Sequence, residues 1–108
     1  MAHYLIEVAY TAEAWAAQVS NPQNRIEAIR PVIERLGGRI ESVYYAFGDY
    51  DVVGIMDMPD NVSAAAFSVA VSAGGGVKAI RTIPLMAIED GIQVMRKAAG
   101  AGYRPPGR

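Results

Sequence analysis

The sequence predicts a single α+β domain in which helices cover one face of an antiparallel sheet. Its 108 residues leave room for one domain with one core. Strand-like and helix-like segments alternate in the order β-α-β-β-α-β-α. The second and third strands are separated by the short segment Gly48-Asp49-Tyr50, which is typical of a hairpin turn.

The first third of the chain contains one strand and a long helical region. A strand is expected over residues 3–10, where both alternating sets of side chains are largely apolar. Thr11 suits a helix N-cap, and the helix is expected to restart at Asn21, with Pro22 in the first helical position. Apolar side chains then recur every three or four residues, which predicts a helix face packed on a core. These residues are Ile26, Ile29, Ile33 and Leu36.

Three strands and two helices are expected in the remainder of the chain. The strands are expected over residues 39–47, 51–58 and 77–86, and the helices over 62–73 and 89–99. The last residues, about 100–108, are expected to be an irregular tail of the single domain 1–108. The complete order is the split βαβ arrangement, so the predicted fold is ferredoxin-like, with an extra C-terminal helix.

The face of the sheet that the helices leave open is expected to contact a second copy of the chain. Regular alternation divides the second strand into two sets of side chains, both of them partly apolar. One set is Ile40, Ser42 and Tyr44, and the other is Glu41, Val43, Tyr45 and Phe47. A sheet with one face in water would alternate more cleanly. We therefore expect two sheets to associate face to face in a dimeric α+β barrel.

Composition excludes several classes of partner. Ten basic and eleven acidic residues give a net charge of −1, so no surface for nucleic acid is expected. The absence of cysteine removes disulfides and thiolate metal sites. The most apolar stretch, 62–73, is shorter than the roughly 20 residues that cross a bilayer, so no membrane association is expected. No basic segment with a cleavage site precedes His3, and we expect a cytoplasmic protein.

Several short motifs make the sequence resemble the GYD-domain family over nearly its whole length. They are Leu36-Gly37-Gly38, Phe47-Gly48-Asp49-Tyr50-Asp51-Val52-Val53, Pro59-Asp60, and the segments 81–86 and 103–106. The resemblance implies a ferredoxin-like fold of the dimeric-barrel type. It implies no agreed activity, although relatives by fold include small-ligand-sensing modules and cofactor-free oxygenases.

His3 is the single histidine and the first candidate for a site. Glu7 lies four residues along the same strand and therefore on the same face. Asp57 and Glu41 could project from neighbouring strands toward that face. A histidine with carboxylates could bind a divalent ion, or a carboxylate could orient the imidazole as a base. The ordinary alternative is a solvated side chain near the terminus, and no metal site is predicted.

Two tyrosines and an arginine complete the candidate ligand-binding residues. Tyr45 and Tyr50 could line a pocket for a planar ligand, although packing is the more common role of such side chains. Asp49 and Asp51 beside Tyr50 suit either turn chemistry or a pocket at the sheet end. Arg81 in the fourth strand needs a carboxylate or a bound anion if it is buried, and it is otherwise a subunit-rim residue.

Three functions are compatible with these residues. The first is a small-molecule-binding homo-oligomer with a pocket between the sheet and a partner subunit, lined by His3, Tyr45, Asp57 and Arg81. The second is a cofactor-free monooxygenase or isomerase that uses His3 or a tyrosine as its acid–base group. The third is an oligomerisation domain without a ligand. No cofactor is predicted, and the residues leave open whether the protein is an enzyme.

Overall fold

The computed structural model, described over residues 1–107, contains four strands and four helices. The strands are β1 (Ala2–Tyr10), β2 (Arg39–Tyr45), β3 (Val52–Met58) and β4 (Val77–Pro84). The helices are α1 (Ala12–Ser20), α2 (Arg25–Arg35), α3 (Asn61–Ala73) and α4 (Ile88–Ala99). The strands form one antiparallel sheet in the order β2-β3-β1-β4. The predicted ferredoxin-like α+β fold is confirmed. The predicted tail extends to Arg108, which lies outside the described residues.

Side chains at the N-caps fix the starts of α1, α2 and α3, whereas α4 begins after Ala87 without a side-chain cap. The Thr11 hydroxyl accepts a hydrogen bond from the Ala14 N–H (3.1 Å), as the sequence predicts. The Asp60 carboxylate does the same for Ser63 at the start of α3. The predicted helix restart at Asn21 is wrong. The cap is Asn24, whose side chain accepts from the Ile26 N–H (3.0 Å), while Asn21 ends α1.

The core lies between the sheet and helices α2 and α3. It is built from inward side chains of β1 and β3 packed on the apolar faces of these helices, which removes the apolar surface from water. Its buried members are Tyr4, Ile6, Ile33, Met56, Met58, Ala64 and Phe67. The predicted stripe is confirmed for three of its four residues: Ile33 is fully buried, and Ile29 and Leu36 pack against the cluster. The fourth, Ile26, lies outside the cluster.

A β-bulge in β2 overturns the predicted alternation of that strand. The register shifts between Ile40, opposite Met56, and Ser42, opposite Ile55. One extra residue moves every later side chain of the strand to the opposite face of the sheet. Ser42 and Tyr44 therefore lie on the open face, and Tyr45 lies on the helix-covered face. The strand also ends at Tyr45 and not at Phe47. The Ala46 N–H bonds to the Asp51 carbonyl (2.8 Å) across the hairpin.

Helix α4 stands apart from the rest of the chain. Within residues 1–107 it makes no extended packing contact with another helix or strand, and none of its residues is buried. The Cα radius of gyration is 17.5 Å, against roughly 13 Å for a compact chain of this length. None of the described helices combines the length and apolar character needed to cross a membrane.

Candidate functional site

A cavity of about 540 Å³ lies between the sheet and helices α1, α2 and α3. Branched side chains from the sheet and from α2 are the largest group in its wall, and small alanines of α1 leave the space unfilled. Examples are Ile6, Val43, Ile29, Ala14 and Ala17. Sites for small organic molecules commonly measure about 300–1,000 Å³ and have mainly apolar walls. This cavity is therefore large enough for such a ligand.

The polar part of the wall comes from the end of β1, the last turn of α1, the start of α2 and the connection between these two helices. Tyr10, Gln18 and Arg25 are among its side chains. Burial raises the pKa of the Tyr10 phenol, and Tyr45 raises it further while the Arg25 guanidinium opposes the rise. The phenol is therefore a protonated hydrogen-bond donor at neutral pH.

Asp51, from the Gly48-Asp49-Tyr50-Asp51 segment, holds together the elements at this end of the cavity by hydrogen bonds. Its carboxylate accepts from the Tyr10 backbone N–H (2.8 Å) and from the Trp15 indole N–H (3.2 Å). The Trp15 ring packs edge-on against Tyr10 at 5.2 Å and lies 6.3 Å from the Tyr45 ring. One carboxylate thus joins the β2–β3 loop, β1 and α1.

On the open face of the sheet, Arg39, Asp57 and His3 lie side by side on β2, β3 and β1. The Arg39 Nε–H donates to Asp57 Oδ2 (2.7 Å), and the His3 ring bonds to Asp57 Oδ1. The bond from Arg39, followed by that from His3, lowers the pKa of Asp57 against the effect of burial. Because the carboxylate is ionised and accepts only, His3 Nδ1 is the donor of this bond.

Glu41 lies beside this row, with its Oε2 3.2 Å from His3 Nδ1. One ligand atom from each of His3, Glu41 and Asp57 falls within 4.8 Å of the others, which is the residue set a divalent ion would need. Both carboxylate oxygens of Asp57 already accept bonds from His3 and Arg39. The hydrogen bonds within the row therefore account for the arrangement.

A second polar cluster lies farther along the same face. Glu7 and Arg81 are cross-strand partners, with Glu7 Oε1 and Arg81 Nη1 3.8 Å apart. The guanidinium also lies over the Tyr50 ring, 5.9 Å from its centre. Arg81 is exposed in this chain and not buried. Its contacts with the Glu7 carboxylate and the Tyr50 ring therefore lie at the surface.

The structure divides the six sequence-predicted ligand-binding residues among three places. His3 and Asp57 are in contact, Glu7, Tyr50 and Arg81 form the second cluster, and Tyr45 is on the other face because of the bulge. Sequence reasoning missed Arg39, although its position at the start of an edge strand offered a signal. It also missed the cavity, for which the alanines of α1 are a weak signal.

Similar structures are known for this fold. The crystal structure of FFRP-DM1 superposes on this chain with a TM-score of 0.50 and 12% sequence identity. The match covers 80% of this chain and 100% of the FFRP-DM1 chain. TTHA0845 from Thermus thermophilus has 17% sequence identity to this chain and a TM-score of 0.51. The match covers 81% of this chain and 95% of the TTHA0845 chain. At these identities the similarity shows the fold alone. No curated protein has significant sequence similarity to the chain.

The GYD domain family model matches residues 4–95. This range includes all four strands, except for the first two residues of β1. The match takes in the hairpin segment Gly48-Asp49-Tyr50-Asp51 and most of α4. The resemblance seen in the sequence is thereby confirmed, and the chain belongs to the GYD-domain family.

Proposed function

We propose that this protein is a small-molecule-binding module that works as a homo-oligomer, with its ligand in the cavity between the sheet and helices α1 to α3. The observation that carries the proposal is the cavity of about 540 Å³ with its mainly apolar wall. This position differs from the pocket between sheet and partner that the sequence suggested. The open face is then left for contact with a second copy.

The wall of the cavity indicates the class of ligand. Its apolar part suits an aromatic or aliphatic body, since burying such a surface is favourable. Arg25 offers a charged donor for a carboxylate, and Tyr10 offers a neutral hydroxyl donor. We expect a small apolar molecule that carries one acidic group.

A titration series tests the proposal with defined probes. The probes are 2-naphthoate and decanoate, with 2-naphthol and decanol as neutral analogues. Calorimetry should show saturable binding of at least one acid, and the melting temperature should rise because the ligand binds the native state. Arg25→Gln should reduce the preference for the acid over its neutral analogue.

Adjacent alanines on α1 provide a matched pair of variants. Both residues are exposed on α1, but Ala17 lines the cavity and Ala16 does not. Ala17→Phe should abolish probe binding, and Ala16→Phe should leave it unchanged. Equal effects of the two variants would place binding outside the cavity. If no probe binds, the oligomerisation domain without a ligand becomes the better account.

The contact between His3 and Asp57 supports a second candidate, a cofactor-free monooxygenase or isomerase. Asp57 orients the His3 ring so that Nε2 can accept a proton, which is the arrangement of a general base. A molecule that binds on the open face beside His3, across the sheet from the cavity, should then be converted by the wild type. His3→Gln should lose conversion while binding is retained. Conversion that survives this substitution would reject the assignment.

A further inference from the structure

Helix α4 exposes an apolar stripe that the rest of its own chain does not cover. Ile88 is 80% exposed and Met95 is 65% exposed. Ile92 and Ala99 lie on the same side of the helix, because the four residues recur at intervals of four, three and four. In coiled-coil terms this stripe occupies successive core positions, the seam by which helices pair.

Charged residues on α4 lie along one edge of this stripe. Glu89 and Arg96 are seven residues apart and therefore occupy the same flank, one near each end of the helix. The opposite flank carries the small residues Gly91 and Ala98. In an antiparallel helix pair like flanks meet, so each Glu89 would face an Arg96. In a parallel pair the charged flank would face the small one.

We propose that α4 pairs antiparallel with α4 of a second copy of this chain about a two-fold axis. The two stripes bury each other, and two symmetric ion pairs form between Glu89 of one copy and Arg96 of the other. This is an isologous contact, since the same patch is used on both subunits. It rests on the self-association in the proposed function and not on the ligand cavity.

The size of α4 limits what this contact does alone. A helix of 12 residues is about 18 Å long, and two such helices bury less than the roughly 1,200 Å² of a standard interface. Further apolar surface must therefore join the contact. The open sheet face supplies it with Leu5, Ile55 and Ile83, whose positions in the register place them on that face.

Charge reversal in the full-length chain tests the pairing. Glu89→Arg and Arg96→Glu should each raise the dimer dissociation constant about tenfold, because each turns two attractions into repulsions. The double variant should recover the wild-type constant, as measured by sedimentation equilibrium. Asp90→Arg and Lys97→Glu make the same charge changes on the outer side of α4 and should have little effect. A monomeric wild type, or a double variant no better than the singles, would overturn the proposal.

Cysteine cross-linking tests the orientation without weakening the ion pairs. The chain has no cysteine, so introduced thiols are unique. Antiparallel pairing places Ile88 opposite Ala99 of the second copy, within the roughly 7 Å between Cα atoms that a disulfide tolerates. An equimolar mixture of Ile88→Cys and Ala99→Cys should form the mixed disulfide, and neither alone should cross-link. Self-linking of each variant, or no linking, would overturn the pairing. The ligand cavity is tested separately by probe binding to the Ala16→Phe and Ala17→Phe variants. The outcome of that test does not depend on whether α4 pairs.

Discussion

The helix-covered face and the open face of the sheet carry similar apolar side chains but differ in what surrounds them. On the first, Met56 and Met58 are fully buried beneath α2 and α3. On the second, Leu5, Ile55 and Ile83 remain partly exposed between two charged clusters. The difference shows that the chain completes its core on one face alone. In the proposed assembly a second copy of the chain covers the other face and α4.

Truncating a buried side chain should show the largest contrast between the faces. Ile33 is 1% exposed, and Ile33→Ala should lower the free energy of unfolding by about 2–5 kcal/mol through lost burial and a cavity. Tyr44 lies on the open face and is 70% exposed, so Tyr44→Ala should change the value by less than about 0.5 kcal/mol. Urea denaturation of dilute protein measures both. Similar losses would mean that the open face is part of the monomer core.

Adding a methyl group at Gly54 should have the next largest effect. A Cβ there would lie 2.5 Å from the Ser42 carbonyl oxygen, next to the bulge. Gly54→Ala should cost about 1–3 kcal/mol through overpacking. Gly91 in α4 has nothing within 4 Å of an added Cβ, so Gly91→Ala should instead stabilise the helix by about 0.5–1 kcal/mol. Thermal denaturation distinguishes the two, and a neutral Gly54→Ala would contradict the close approach at the bulge.

Asp57 is the buried charge of the open face, and its removal should have a moderate effect. Asp57→Asn should cost about 1–2 kcal/mol at neutral pH, because Arg39 and His3 lose an ionised partner. The folded-state pKa of Asp57 is lowered, so its contribution is present above the unfolded-state pKa, about 3.9, and is lost as pH falls through the folded-state pKa. The difference between wild type and variant should therefore shrink at acidic pH. A difference that stays constant down to about pH 2 would contradict the assigned bonds.

The smallest effect is expected at the second charged cluster. Glu7 and Arg81 are 3.8 Å apart at the surface, and Glu7→Gln should change the stability of dilute monomer by less than about 0.5 kcal/mol. At a concentration where the proposed self-association takes place, the loss should be larger, because a second copy would remove water from the pair. An equal loss at both concentrations would exclude this cluster from the interface.

The order of elements was predictable because each signal is local. Turn residues, helix caps and the apolar stripe of α2 act within a few positions of one another. The parity of β1 likewise predicted that His3 and Glu7 share a face. The bulge in β2 was not predictable, since it depends on pairing with β3, and it reverses the position of Tyr45.

The cavity and the separation of α4 could not be predicted from the sequence pattern either, because both depend on packing between elements that are distant in the chain. The volume left between sheet and helices depends on how close α1 and α2 lie to the strands, and the pattern records only which side of each helix is apolar. The separation of α4 from the body has the same origin. An amphipathic helix indicates that one side is covered, and it does not say by which chain.

Amide chemical shifts during titration with 2-naphthoate test the different roles of the two faces most directly. The amides of Ala14, Val43 and Val71 along the cavity wall should shift as the probe saturates the protein. Those of His3, Asp57 and Arg81 on the open face should remain in place. The reverse pattern would contradict the account, because it would put the ligand between the sheet and a partner and leave the cavity without a role.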